Sequence, residues 1–507
     1  MAFSIDTIYA VLRQSSPRGD GKFYSLTKGN LLIRQLDTPQ LWGHDPAVMN
    51  YIPAAGNLTA AIEGLIAAAT RTVDISCLFP FPSGLFRSAI RNGLRAALLR
   101  TPALRVRITV GYYVPIPPAS VAADPTTVID AFIKSLELPD SARIQLDVAL
   151  MQTWATSWNH GKLILVDGQY AICGGHNLWS DDYTQFAPVS DVSFEFAGPA
   201  ARTGEAFINN IWTRMWYDVS DASRRETPPL FWARSLLQGK IGPAPLAIFS
   251  NPPPAHIGPT SMLALARVGI NLEPLFPITA SDNASLMAKL VGVTQCKGGH
   301  IRMSQQMLGG SPLGDYDMQF FPALCQHLLD GGQLTLIISD TGATTMTHDS
   351  YSGDGIEATA RRFALAIRAA VPGMPRDQLI ALLTKQLHIG PTRIYNRQPG
   401  DPQAKSWMWR NPQTGEMLEP ANHAKIMIFD GSGFYFGSDN AYAMPFNPFG
   451  MQEFGYMVEG QGETSAFLRD YWDQAWGYSS QFEVTDWARI VDETAGAPQL
   501  DTLVRPT

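Results

Sequence analysis

Trp158-Asn159-His160-Gly161-Lys162-Leu163-Ile164-Leu165-Val166-Asp167, followed by Gly174-Gly175-His176-Asn177, decides the reading of this chain because it occurs twice. The second copy is Asn422-His423-Ala424-Lys425-Ile426-Met427-Ile428-Phe429-Asp430, followed by Gly437-Ser438-Asp439-Asn440. Both read His-x-Lys-x4-Asp-x6-Gly-[Gly/Ser]-x-Asn, while the residues between these positions differ. A polar pattern repeated on two apolar runs implies an internal duplication whose two copies serve one purpose.

The residue types point to phosphoryl chemistry. On a strand, side chains two apart share a face, so His160 projects with Lys162 and His423 with Lys425. Asp167 and Asp430 fall on the opposite parity near the strand ends and are expected to lock the backbone. Gly174-Gly175 and Gly437-Ser438 remove bulk beside a phosphate position, and Asn177 and Asn440 can donate amide hydrogens to phosphate oxygens. Two lysines and two asparagines around one phosphate meet the need for preorganised donors to its non-bridging oxygens. Histidine titrates near neutrality, so one imidazole can attack phosphorus while the other protonates the leaving alcohol.

Composition narrows the rest. A chain of 507 residues with 45% hydrophobic content can bury a large core, and the repeat favours two similar halves. The net charge of −7 offers no broad positive field for a polyanion, so nucleic acid is not expected as a partner. Cys77, Cys173, Cys296 and Cys325 have no metal-ligand spacing, and buried free thiols are expected. No metal and no cofactor is required, since lysines and asparagines supply the charge. The N-terminus lacks a basic region followed by an apolar core, and no apolar run of membrane-spanning length occurs. A soluble protein is expected, either exported to act on membranes after loss of a leader or by a leaderless route, or held in a cytoplasmic pool.

Along the chain, residues 1 to about 55 are turn-rich and read as an irregular segment draped on the fold. Leu58-Ala61-Ile62-Leu65-Ile66 has helical spacing, Val73 to Phe79 reads as a strand, Leu85-Ile90-Leu94-Leu98 as a helix, and Val106 to Tyr113 as a strand. This alternation predicts an α/β protein. The expected division is an N-terminal half over 1–245, a Pro-rich linker over 246–260 and a C-terminal half over 261–507. A Trp- and Pro-rich insertion near 396–420 lacks a counterpart in the first half and reads as a substrate-facing loop or lid.

The doubled motif resembles the phospholipase D superfamily, in which two such motifs meet in one active site. It is most similar to the secreted bacterial phospholipases D through Trp179-Ser180-Asp181-Asp182-Tyr183, Pro188 to Val192 and Glu453-Phe454-Gly455-Tyr456. The resemblance implies two similar α/β/α sandwich halves with the site at their interface. It implies Asp191 and Glu453 as acidic partners of the histidines, His160 as nucleophile and His423 as acid. It further implies Trp179, Tyr183 and, more weakly, Tyr351 as headgroup-binding residues, chemically reasonable because aromatic faces attract a quaternary ammonium.

The function implied is hydrolysis of phosphatidylcholine-like lipids to phosphatidic acid and free headgroup through a phosphohistidine, with transfer to an alcohol when one competes with water. The partners are then a phospholipid surface and a water or alcohol acceptor, and a monomer is expected because one chain carries both motifs. The alternatives are a phosphodiesterase or nuclease of the same superfamily and a non-catalytic lipid-binding member.

Overall fold

The computed structural model describes residues 3–40, 42–43, 55–101, 103–112, 124–140, 143–153, 157–220, 231–267, 283–309, 315–343, 351–395, 408–411, 414–443 and 451–495. Two sheets of matching construction account for its centre. In the first, Ile144–Thr153, Leu104–Gly111 and Thr72–Leu78 run parallel. Leu163–Val166, Tyr170–Gly174 and Asp191–Ala197 then add antiparallel. The second sheet repeats the order. Leu387–Pro391, Gln333–Ile338 and His300–Gln305 run parallel, and Lys425–Phe429, Gly433–Gly437 and Glu453–Glu459 continue antiparallel. The motif of each half therefore lies at the same point, where parallel pairing gives way to antiparallel.

Period-3.6 helices cover the outer faces. Gly56–Ala67 turns Leu58, Ala61, Ile62, Leu65 and Ile66 inward, as the spacing predicts. Gly84–Arg100 packs beside it on the first sheet, and Phe320–Leu329, Gly355–Ala370 and Arg376–Gln386 do the same on the second. Between the sheets Phe194 packs on Phe434 and Phe436, and Phe196 on Tyr456, with the helix Ala200–Ser220 contributing Phe207 and Trp212. This shared core joins the halves by aromatic contacts, each worth about 0.5–1.5 kcal/mol beyond area burial.

The N-terminal segment is not irregular. Ile5–Ser15 is a helix capped by Ser4, and its buried Ile5, Ile8 and Leu12 pack in the core of the second half rather than the first. Tyr24–Thr38 is a strand of 15 residues that pairs antiparallel with Thr260–Arg267 in its first part and with Asp191–Ala197 in its second. Register shifts between Thr27 and Asn30 and between Leu32 and Arg34 let one strand pass from sheet to sheet. From Ala244 to Pro259 no helix or strand forms, and part of this stretch is held to the first half. Arg107 reaches the Ala247 carbonyl, and Asn251 Nδ2 donates to Thr72 Oγ1 at 2.8 Å.

All four cysteines are free and buried. Among the described residues no helix is long and apolar enough to cross a membrane. The insertion forms a short ribbon, Trp409–Arg410 with Met417–Leu418, and its residues 396–407 lie outside the described residues.

Candidate active site

Each motif enters its sheet as an extended segment. His160 and Lys162 stand just before the strand Leu163–Val166 rather than on it, whereas Lys425 begins its strand. The asparagine preceding each histidine builds this entry. Asn159 Nδ2 donates to Ser76 Oγ at 2.8 Å while its Oδ1 accepts from Gly161 N at 3.2 Å. Asn422 does the same with Ser304 Oγ at 3.1 Å and Ala424 N at 2.9 Å. Both sequence copies carry this asparagine directly before the histidine, and its repetition is the signal for its role.

The two halves then cross. The backbone N–H of His160 donates to the Gln452 carbonyl at 2.8 Å, and that of His423 to the Ser190 carbonyl at 2.7 Å. These straps bring each histidine to the carboxylate of the other half. His160 Nδ1 lies 2.9 Å from both oxygens of Glu453, and His423 Nδ1 lies 2.9 Å from Asp191 Oδ2. A carboxylate on Nδ1 fixes the tautomer with hydrogen there and leaves Nε2 with its lone pair. Neither Nε2 has a hydrogen bond among the described residues. Lys162 and Lys425 curl back to donate to the carbonyls of His160 and His423.

Asp167 and Asp430 have positive φ, +56° and +47°, at the turns that leave the motif strands. Asp167 accepts from the backbone N–H of Thr70, Arg71 and Thr72 at 2.8 Å each, and Asp430 from that of His300 at 3.1 Å. Both bind the backbone that leads into the neighbouring parallel strand.

The glycines make room for protein, not only for substrate. A Cβ on Gly175 would come within 2.0 Å of Asp191 Oδ1, one on Gly174 within 2.3 Å of the Val192 carbonyl, and one on Gly437 within 2.5 Å of Gly455 Cα. Ser438, at the position matching Gly175, donates to Glu453 Oε2 at 2.6 Å. Asn177 and Asn440 are buried, and among the described residues the amide oxygen of each has no partner; Asn440 Nδ2 donates to Tyr442 OH at 3.0 Å. Unpaired buried polar atoms are uncommon and collect at functional sites.

The aromatic residues divide. Trp179 is half-buried, with its indole N–H on the Pro80 carbonyl at 2.8 Å. Tyr183 is wholly buried, and its hydroxyl donates to Asp191 Oδ2 at 2.9 Å and sits 3.3 Å from His423 Nδ1. That placement behind His423 replaces the expectation of an open ring face for a headgroup. Tyr351 is buried too, with its hydroxyl on Asp182 Oδ2 at 2.7 Å and its ring edge-on to His423 at 5.0 Å. His176 is held between Thr38 Oγ1 and Ser193 Oγ, and burial pushes it down to about 3, so it stays neutral. Trp158, directly before the first motif, and Trp409, in the insertion, are buried.

Burial dominates the electrostatics. It lowers His160 below its ordinary value against the opposing pull of Glu453, and holds His423 well below, with Lys425 and Lys162 adding to the effect. Burial also brings Lys162 down to about 8 and Lys425 to about 7, and lifts Asp191 to about 7. Cations so desolvated gain most from an anion that enters between them. Among the described residues no group of three or more His, Cys, Asp or Glu is placed to hold a metal ion.

Two imidazoles with carboxylate-fixed tautomers, flanked by two buried lysines at the junction of duplicated halves, define a phosphodiesterase of the doubled-motif class. In sequence the chain is similar to a phospholipase D. It is 29% identical over 525 residues to phospholipase D of Streptomyces antibioticus, an alignment covering 95% of this chain and 88% of that protein. The crystal structure of phosphatidylserine synthase from Haemophilus influenzae Rd KW20 shares the fold, with TM-score 0.53 over 94% of this chain and 93% of that one at 11% identity. No protein-family model matches the chain.

Proposed function

We propose that this phosphodiesterase is a phospholipase D acting on phosphatidylcholine-like lipids at a membrane surface. The observation that carries the reading is the crossed pairing of His160 with Glu453 and His423 with Asp191. In the first step Nε2 of one histidine forms a bond to phosphorus, the bond from phosphorus to the headgroup oxygen breaks, and the other imidazolium gives its proton to that oxygen. Water or an alcohol, giving its proton to the now neutral second imidazole, then bonds to phosphorus while the bond from phosphorus to Nε2 breaks, which frees the nucleophilic histidine and releases phosphatidic acid or the new ester. Lys162, Lys425, Asn177 and Asn440 take the charge on the non-bridging oxygens. Because one chain holds both histidines, a monomer suffices.

Family resemblance puts the nucleophile on His160 and the acid on His423. A second order is favoured by the free site, where Glu453 supports a proton on His160 while His423 is held well below its ordinary value. In the first order the lipid phosphate must add to the charge of Asp191 to hold a proton on His423. Rapid quenching in denaturant at neutral to mildly alkaline pH, where the P–N bond survives, followed by peptide mapping decides: phosphate on the peptide of His160 establishes the first order, and on that of His423 the second.

The function is tested by incubating the protein with phosphatidylcholine vesicles and a few per cent ethanol. Free choline and phosphatidylethanol are expected. Neither product, with single-stranded DNA degraded in a parallel tube, transfers the site to a nuclease.

A further inference from the structure

The residue between Ser438 and Asn440 is a carboxylate, Asp439, and two cations from outside the motifs converge on it. Lys289 Nζ, on the helix Ala284–Gln295, donates to Asp439 Oδ2 at 2.9 Å, and the guanidinium of Arg267, the last residue of the strand Thr260–Arg267, donates to Oδ1 at 3.2 Å. All three side chains are buried. Burial alone would raise the Asp439 carboxyl, yet Lys289 and Arg267 together hold it below its ordinary value, so it stays ionised. The matching position in the first half is His176, which is neutral and held by two hydroxyls.

One cation is enough to balance one carboxylate, and burying another carries a desolvation cost. The further contacts of Lys289 show what it adds. Its Nζ also donates to the Asp439 carbonyl at 3.0 Å and stands 4.3 Å from the centre of the Tyr435 ring. That carbonyl shares a rigid peptide plane with the N–H of Asn440, so one ammonium fixes both the side chain of Asp439 and the point where Asn440 leaves the chain. Arg267 pairs in register with Glu453, the carboxylate that serves His160, and bridges to Asn283, the residue that caps the helix bearing Lys289. The two cations are thereby parts of one frame, set against the backbone that carries Ser438, Asp439 and Asn440.

We propose that Lys289 and Arg267 are positioning residues for the phosphodiester reaction: through Asp439 they hold the Asn440 amide where it donates to a non-bridging oxygen. The role rests on the phosphoryl-transfer reading of the site, in which Asn440 binds the phosphate. It belongs to the second half alone, because Asn177 follows a neutral histidine held by hydroxyls. Releasing Asp439 would let the asparagine drift, and a displacement of about an ångström at a reacting centre costs about 10²-fold in rate.

The test is a set of double-mutant cycles on kcat/KM in the full chain, with phosphatidylcholine vesicles and with a soluble p-nitrophenyl phosphodiester. Asn440→Ala alone should cost about 10²–10³-fold, as loss of one preorganised donor does. Lys289→Met, which leaves Asp439 paired with Arg267, should cost about 10–10²-fold by misplacing that donor. In an Asn440→Ala background the same change should cost about twofold or less, whereas in an Asn177→Ala background it should keep its full cost. Losses that multiply with Asn440→Ala overturn the inference, and so does equal coupling to both asparagines, since a merely structural effect does not tell the two apart. Should Lys289→Met not fold, Arg267→Gln in the same cycles decides by the same criterion. A wild type that turns over neither substrate, or an Asn440→Ala variant with the wild-type rate, overturns the phosphoryl-transfer reading and this inference with it. An active wild type and an impaired Asn440→Ala beside an unimpaired Lys289→Met overturn the inference alone.

Discussion

Behind His423 stand a short carboxylate, Asp191, and a phenol, Tyr183; behind His160 stand a carboxylate one methylene longer, Glu453, and the hydroxyl of Ser438. The backbone beneath is the same in both halves: an asparagine fixes the turn, a main-chain strap crosses to the other half, and an aspartate ties the strand end. Side chains alone make the difference. At Gly175 the chain leaves no space for a side chain above Asp191, so the extra donor comes from Tyr183; at Ser438 there is space, and the serine supplies it. A duplicated scaffold has thus been given two unlike imidazoles, which is what a nucleophile and an acid require.

The largest effects break the pair itself. His160→Ala and His423→Ala should each lower turnover on phosphatidylcholine by about 10⁴-fold or more. They should part company on a p-nitrophenyl phosphodiester, whose leaving group needs no proton. The variant that has lost the acid recovers most of its first-step rate there, seen as a burst of p-nitrophenol, and the variant that has lost the nucleophile recovers none. Equal rescue of both would remove the division of labour.

Next come the crossed carboxylates. Glu453→Gln and Asp191→Asn should each cost about 10²–10⁴-fold in turnover, because the imidazole loses the partner that fixes its tautomer. The crossing is read from double-mutant cycles on thermal stability. His160 with Glu453 and His423 with Asp191 should couple by about 0.5–3 kcal/mol, and His160 with Asp191 much less. Coupling within halves instead of between them would overturn the geometry.

How much of this could be read from the chain depends on the range of each interaction. The repeat, the helices with clean periodicity and the His-Lys-Asn set were legible, because each is a local pattern: Leu58 to Ile66 shows its buried face in the sequence itself. The crossing was not, since His160 and Glu453 are 293 positions apart and no spacing encodes which carboxylate meets which ring. The strand Tyr24–Thr38 was missed for a different reason. Its two register shifts spoil the alternation that marks a strand, and its neighbours come from both sheets. Tyr183 and Tyr351 were found by resemblance, but only the packing shows that they stand behind His423 in a buried layer.

Smaller effects sharpen the contrast at the matched positions Gly175 and Ser438. Gly175→Ala drives a Cβ into Asp191 Oδ1 and should cost about 10²-fold, the penalty of displacing a catalytic group by about an ångström. Ser438→Ala only removes a hydrogen bond to Glu453 and should cost about tenfold in turnover. Similar losses in both would mean that the two positions are equivalent after all. Steady-state rates with phosphatidylcholine measure both.

The mildest change is Tyr183→Phe, and its sign follows from the carboxylate it serves. Burial lifts Asp191 to about 7, and the Tyr183 hydroxyl is among the groups pulling it back down. Burial holds Tyr183 itself well above its ordinary value, so it stays a donor throughout the working range. Without that donor the Asp191 carboxyl rises further and takes up a proton at higher pH, losing the negative charge that supports an imidazolium at His423. The acidic limb of turnover should therefore move upward, with a several-fold loss near pH 6 that fades toward pH 9, because ionisation then restores the carboxylate. Ser438→Ala serves as the comparison, since its donor acts on Glu453. An unchanged pH profile together with a changed KM for choline over ethanolamine lipids would return Tyr183 to headgroup recognition. A shifted profile with KM unchanged keeps it as the residue that makes the two histidines differ.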